Sequence, residues 1–255
     1  MNFFMLELLG YILFIFAGVL FGLFGSGGSI IMLPIFWYIF ELSPEDSKTY
    51  SLLLIFCISL FGAVRHRQKN NFPINKTWLF IVSTLVFTAF STIFLFPTII
   101  RILDYSFLRI FFAFVVFLSA ISVFQSPSIN TASNSKIILL LTGALVGILT
   151  GLLGVGGGFI IVPALILFVK LDIKQSAGIA LFIIMLNTFL AIMLEITVFD
   201  FQFQWDFIIF LLISGIVGVL TGMYLLNKIN LKLIKKMFSI TLLFLSLIIF
   251  FIELF

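Results

Sequence analysis

The chain has 255 residues, of which 63% are hydrophobic and 9% charged, and its net charge is +4. An ordinary soluble domain carries roughly a quarter charged residues, so this composition cannot clothe a water-soluble surface. The apolar stretches suit a hydrocarbon layer of about 30 Å crossed at 1.5 Å per residue, and the positive charge, lying mostly in short loops, bears on orientation in a bilayer and not on nucleic acid.

The opening stretch MNFFMLELLGYILFIFAG has no basic leader and carries Glu7, which predicts a retained first helix. Ten apolar segments are expected, at 3–24, 29–40, 49–64, 78–100, 106–124, 137–153, 158–169, 176–198, 207–226 and 236–253. The segments at 29–40 and 158–169 are too short to cross alone, since about 12 residues reach roughly 18 Å. Each directly follows a glycine cluster, in GLFGSGGSIIMLP at 22–34 and GLLGVGGGFIIVP at 151–163. Cys57, the one cysteine, lies inside an apolar segment, which excludes an internal disulfide and any multi-cysteine metal or relay chemistry.

A shift of 129 residues lays Gly18, Leu20, Gly22, Leu23, Gly25, Gly27, Gly28, Ile31 and Pro34 on Gly147, Leu149, Gly151, Leu152, Gly154, Gly156, Gly157, Ile160 and Pro163. Ser47 then meets Ser176 and Ser59 meets Thr188, and a shift of 127 brings Trp78 to Trp205 and Arg109 to Lys236. The chain reads as one transmembrane domain, 1–255, made by internal duplication: repeat one at 1–124, the polar linker QSPSINTASNSK at 125–136, and repeat two at 137–255.

Loop charge sets the expected topology. Arg65, Arg67, Lys69 and Lys76 in one loop, and Lys228, Lys232, Lys235 and Lys236 in another, are placed in the cytoplasm. Glu41, Glu45 and Asp46, and Asp200 and Asp206, then belong outside. If the glycine-broken units 3–40 and 137–169 are hairpins that return to their starting side, every loop lands where its charge prefers, with Arg101 and Arg109 as exceptions. The expected fold class is all-α: a polytopic helical membrane protein of two inverted repeats, each a glycine-broken helical hairpin followed by three transmembrane helices, with both termini outside.

Irregular backbone at membrane depth survives only where protein or a water-filled cavity surrounds it. Gly25, Gly27 and Gly28, and Gly154, Gly156, Gly157 and Gly158, predict such breaks, each opening a short helix. A helix N-terminus offers unpaired N–H donors and about half a positive charge, which suits an anion, and breaks at matching places in two halves point to a transporter's central site. Gly18 with Gly22, and Gly147 with Gly151, stand at the four-residue spacing of close helix packing, while Pro34 and Pro163 kink or end the short helices. The Walker Lys–Ser/Thr pair is absent, so neither cluster is a nucleotide loop.

No Lys or Arg falls deep inside an apolar segment, so an anion must rest on backbone dipoles and neutral donors: Ser26, Ser29, Thr150, Asn187 and Thr188. Asn187, mid-helix in LFIIMLNTFLAI, is open to two readings, a helix-to-helix hydrogen bond or a substrate contact. His66, in RHRQKN, reads as a solvated loop residue. The chain offers no nucleophile with a base and no carboxylate pair at depth, which argues against an intramembrane enzyme; no metal or cofactor is expected.

The two copies of G-x2-G-x-G-G-x5-P resemble the TauE/SafE family of sulfite and organosulfonate exporters. The resemblance rests on Gly22, Gly25, Gly27, Gly28 and Pro34, then Gly151, Gly154, Gly156, Gly157 and Pro163, and extends over nearly the whole chain. It implies a multi-pass secondary transporter of the cytoplasmic membrane, an exporter of small sulfur-containing anions such as sulfite or sulfoacetate, working by alternating access around the two breaks. A coupling proton or ion, and a homo-oligomer, stay open as partners; an anion channel of the same fold, or a carrier of another small anion, is the alternative. Ser29 departs from the pattern where repeat two has Gly158, and the fourth segment, FIVSTLVFTAFSTIFLFP, lacks the small-residue spacing of ISGIVGVLTGMYLL. One cysteine cannot supply the several used by the related thiosulfate importers.

Overall fold

A computed structural model describes the backbone at residues 3–24, 28–67, 74–125, 136–169, 171, 173–226 and 228–254. Gly25, Ser26, Gly27, Lys69 and linker residues 126–135 lie outside the described residues. The described elements are helices: α1 (Phe3–Phe24), α2 (Ser29–Tyr38), α3 (Pro44–Arg67), α4 (Ile74–Phe90), a π turn (Ser91–Leu95), α5 (Phe96–Ile102), α6 (Tyr105–Gln125), α7 (Lys136–Leu153), α8 (Gly158–Val169), α9 (Ile173–Phe199), α10 (Trp205–Leu226) and α11 (Leu231–Leu254). Among the described residues, six stretches are long and apolar enough to cross a membrane: those in α3, α7, α9, α10 and α11, and the run from α4 through α5. The protein is an all-helical, multi-pass membrane protein, and large apolar side chains such as Phe94, Phe210 and Phe244 stand on its outer surface, where lipid accepts them.

The expected fourth segment is one helix interrupted by the π turn. Pro97, two residues past that turn, cannot donate to the Ile93 carbonyl and would press its ring against it, and a wider turn relieves both problems.

Helix ends recur 129 residues apart. The Leu42 N–H bonds the Phe36 carbonyl (3.0 Å) at the end of α2, and the Leu171 N–H bonds the Leu165 carbonyl (3.3 Å) at the end of α8. The Ser47 hydroxyl donates to the Leu42 carbonyl (3.4 Å) and the Ser176 hydroxyl to the Leu171 carbonyl (3.5 Å). These six-residue closures satisfy carbonyls that the helix itself leaves unpaired.

Among the described residues, the four most extensive helix crossings join the two halves of the chain. α1 lies parallel to α10, with Gly18 against Gly215 and Gly218, and Gly22 against Val219 and Gly222. α4 lies parallel to α7, with Gly143 against Ser83, Gly147 against Thr84 and Thr88, and Gly151 against Ser91 and Thr92. α3 runs antiparallel to α9, from the contact of Lys48 with Glu195 to that of Gly62 with Leu181. α6 runs antiparallel to α11, from Ser119's neighbour Ala120, whose carbonyl accepts the Ser239 hydroxyl (2.9 Å), to Arg109 beside Glu253 (3.1 Å).

The first two crossings are close because they lack bulk. A Cβ on Gly18 would lie 2.5 Å from the Gly215 carbonyl oxygen, and one on Gly218 would lie 2.8 Å from the Gly18 Cα. At the crossing of α4 and α7 hydroxyl residues take the place of glycine on one side, which corrects the expectation that the fourth segment lacks small-residue spacing. Ser83 donates to the Leu140 carbonyl (2.7 Å), Thr88 to that of Gly147 (3.3 Å) and Ser91 to that of Ile148 (2.8 Å). Ser and Thr are small enough for close approach and bond across the helices.

Replacing Gly218 by Leu is expected to overpack this crossing by about 1–3 kcal/mol or more. The variant should show a lower melting temperature in detergent and a broadened size-exclusion peak, whereas Val217→Leu, on the exposed side of the same helix, should leave both unchanged.

Candidate functional site

Between α7 and α8 the chain unwinds for one turn. Gly154, Gly156 and Gly157 take φ of +70°, +66° and +67°, left-handed angles that glycine adopts at little cost. The Gly154 N–H still bonds the Thr150 carbonyl (2.9 Å), and helical bonding resumes with Ile160 and Ile161 donating to Gly157 (3.0 and 3.2 Å). Residues 151–158 are all buried.

The walls of this turn come from three helices. A Cβ on Gly154 would sit 2.8 Å from the Cγ of Lys48 on α3. One on Gly156 would meet Ile184 (2.9 Å), Ile55 (3.1 Å) and Thr188 (3.4 Å), placing the turn between α3 and α9. One on Gly157 would meet Val146 (2.6 Å) and the Thr150 hydroxyl (2.8 Å) of α7. The structure thus gathers Gly154, Gly156, Gly157, Thr150 and Thr188 around one buried turn, with Gly158 opening α8.

The described part of the matching stretch near α2 begins at Gly28. Gly28, just before α2, is right-handed (φ −69°, ψ −21°), and a Cβ there would come 2.5 Å from the Phe21 amide nitrogen. Ser29 is fully buried at the start of α2, and Pro34 lies inside that helix. Gly25, Ser26 and Gly27 lie outside the described residues. Ile30 and Leu33 of α2 share an apolar core with Leu152, Leu153 and Val155. Gly18 and Gly22 stand on the α10 crossing and Gly147 and Gly151 on the α4 crossing, while Pro163 lies within α8.

Asn187 is fully buried, and neither its amide nitrogen nor its oxygen has a hydrogen-bond partner among the described residues. The Thr92 hydroxyl, in the π turn, and the Ser51 hydroxyl share that state. Thr188 instead donates to its own helix, at the Ile184 carbonyl (2.7 Å). Buried polar groups left without partners cost about 1–3 kcal/mol each, which makes them candidates for a ligand's contacts.

One expectation is overturned: a lysine does lie inside the bundle. Lys48 is 1% exposed, its ammonium 2.5 Å from Glu195 Oε1 and 3.6 Å from the centre of the Phe96 ring. The segment does not start at 49 as expected but at Pro44, behind Ser43, whose side chain bonds Asp46 through both the backbone N–H (3.0 Å) and the carboxylate (2.9 Å). Serine, proline and an early acid are an N-terminal helix signal, and it places Lys48 in the second turn of α3. Nothing local pairs Lys48 with a residue 147 positions onward (195 − 48). Around the same end, the Tyr50 hydroxyl accepts the Gln204 N–H (3.3 Å), and its ring meets those of Phe201 and Phe207, both at 5.6 Å.

A second ionic group explains Arg109, an exception to the charge pattern. It pairs with Glu253 (3.1 Å), which also accepts the Tyr38 hydroxyl (2.7 Å), and its guanidinium lies 5.4 Å from the Tyr38 ring centre. Its charge is answered within the bundle and does not act as a free loop charge.

Lys48→Met, which strands the Glu195 carboxylate, is expected to destabilise the protein by about 3–5 kcal/mol, and the double change Lys48→Met with Glu195→Leu by much less. Thermal melting of the purified variants checks the order.

Comparison with known proteins agrees with this architecture. The chain is 29% identical over 179 residues to a probable membrane transporter protein of Methanocaldococcus jannaschii, an alignment covering 67% of this chain and 65% of that relative's length. The model of the family described as "Sulfite exporter TauE/SafE" matches residues 11–249, taking in both glycine clusters. With a buried glycine turn inside an all-helical membrane bundle and a match of that extent, the chain belongs to the TauE/SafE family.

Proposed function

We propose that the protein is a secondary transporter of small sulfur-containing anions, sulfite, sulfoacetate or other organosulfonates, which it exports across the cytoplasmic membrane. The observation that carries this reading is the buried turn from Gly154 to Gly157: irregular backbone, enclosed by α3, α7 and α9, leading into the N-terminus of α8. Such a terminus suits an anion, and the unpartnered Asn187 amide and Thr92 hydroxyl add neutral donors nearby in the bundle. The substrate class and direction follow the family's description. The substrate site in this reading comprises Gly25, Ser26, Gly27, Gly28, Ser29, Gly154, Gly156, Gly157, Gly158, Asn187 and Thr188.

The working cycle is alternating access between two inverted repeats, 1–124 and 137–255. Three features support the inversion: equivalent helices α3 and α9 meet antiparallel, so do α6 and α11, and each first helix pairs with the fourth span of the other half. Equivalent elements related in this way face opposite sides of a membrane.

Two experiments test the reading. Proteoliposomes should take up labelled sulfite and sulfoacetate saturably, and the pair Gly27→Leu with Gly156→Leu should abolish uptake in folded, inserted protein. Linear, unsaturable flux would favour a channel, and no flux of any sulfur anion would refute the substrate class. For topology, cysteines placed at Glu41 and Asp200 should both react with a membrane-impermeant maleimide added outside intact cells, and one at Lys228 should not.

A further inference from the structure

We infer that the buried pair Lys48 and Glu195 is the site where anion transport is coupled to a proton, with Lys48 holding the anion and Glu195 the proton. This rests on the carrier reading above and assigns that carrier's coupling chemistry. Two full charges lie 1% and 7% exposed within candidate membrane spans, a placement far too costly to be incidental. The pair also abuts the unwound backbone: the Lys48 stem and carbonyl are what a Cβ on Gly154 would strike, at 2.8 Å. On the other side the Phe96 ring closes over the ammonium, next to the π turn that carries the unpartnered Thr92.

Charge balance dictates the mechanism. With Lys48 and Glu195 paired, the pocket is neutral. A monovalent anion that docks on the Lys48 ammonium must displace the carboxylate, leaving Glu195 buried without a counter-charge. A stranded buried charge costs several kcal/mol, and one proton taken from the water that admits the anion neutralises it. The loaded pocket then holds a lysine ammonium, the anion and a protonated glutamic acid, again neutral. Release reverses each step: the anion leaves, the proton follows, and the ion pair re-forms. The carrier therefore moves anion and proton together, and its empty and loaded forms carry no net charge through the membrane at this site.

The other charged groups nearby do not take over this role. Glu45, a turn earlier on α3, is the other carboxylate whose charge reaches Lys48, but it is partly exposed and accepts the Tyr105 hydroxyl (3.4 Å). Asp200 and Asp206, where α9 passes to α10, are exposed. α5 and the glycine turn face the pair with Phe96 and Gly154, neither of which titrates.

The test uses the full chain in proteoliposomes loaded with a pH-sensitive dye, and methanesulfonate, which stays ionised so that any accompanying proton must ride on the protein. Nitrate and formate are run in parallel. Wild type should carry about one proton per anion at a rate indifferent to an imposed membrane potential, as charge neutrality of a buried site requires. Glu195→Gln should lower the proton-to-anion ratio by roughly tenfold or more, and should make the residual anion flux depend on potential, because the empty form then carries a Lys48 charge that a neutral amide cannot balance. Lys48→Gln should raise the half-saturating anion concentration by roughly tenfold or more, the loss expected when a buried charge partner is removed. Should either single variant misfold, Lys48→Met with Glu195→Leu keeps the packing without the charges, and it must lose coupled transport. A purely structural clamp would leave the proton-to-anion ratio unchanged in every folded variant, and that result overturns the inference. Methanesulfonate moving without protons refutes the coupling while leaving the carrier reading intact. Nitrate or formate moving with a Glu195-dependent proton while sulfonates do not refutes the substrate class and upholds the coupling. No flux of any anion through folded wild type overturns both.

Discussion

A peptide group cannot be left unpaired against lipid, and this constraint organises the whole bundle. The chain unwinds between α7 and α8, at Gly154 to Gly157, so protein must surround that turn. α3 and α9 supply two walls, through Ile55, Ile184 and Thr188, and α7 supplies the third through Val146 and Thr150. Those walls hold position because the surrounding helices lock at short distance: glycine against glycine for α1 and α10, glycine against serine and threonine for α4 and α7. Without a hydrophobic force between helices in lipid, close packing and interhelical hydrogen bonds are what remain to drive association, and both are present at these crossings.

The same enclosure gives the Lys48 and Glu195 pair its character. At a wet surface such a pair contributes about 1 kcal/mol or less, and salt screens it. Buried, it joins α3 to α9 at one end of the bundle and cannot lose one member without a large penalty. Such an interaction is neutral when complete and expensive when broken. Arg109, Glu253 and Tyr38 form a comparable group between α2, α6 and α11, with aromatic rings beside the guanidinium.

The two halves share hydrogen bonds at matching helix ends yet differ in backbone at Gly28 and Gly157. Leu42 and Leu171 close their helices in the same way, and Ser47 and Ser176 cap the same carbonyls. Gly28, however, is right-handed where Gly157 is left-handed, and the ionic pair takes one member from each half at positions that the 129-residue shift does not exchange. The Lys48 and Glu195 pair lies beside the turn at Gly154, whereas Arg109, Glu253 and Tyr38 form their group elsewhere.

Composition and periodicity alone determined that this chain is helical and membrane-embedded, where its segments lie, and that two glycine clusters recur at a fixed interval, because the bilayer imposes its length and polarity on any crossing segment. The glycine spacing of α1, α7 and α10 is likewise written in the sequence, since only small residues permit such crossings. Tertiary structure alone decided which helices meet. It showed that Ser83, Thr88 and Ser91 serve where glycine was sought, and that Asn187 keeps an amide without a partner among the described residues. It also placed Lys48, which looks like a loop-end lysine in the chain, beside Glu195 inside the bundle. Such pairings are long-range, and one-dimensional patterns report the face of a helix but not the partner that covers it.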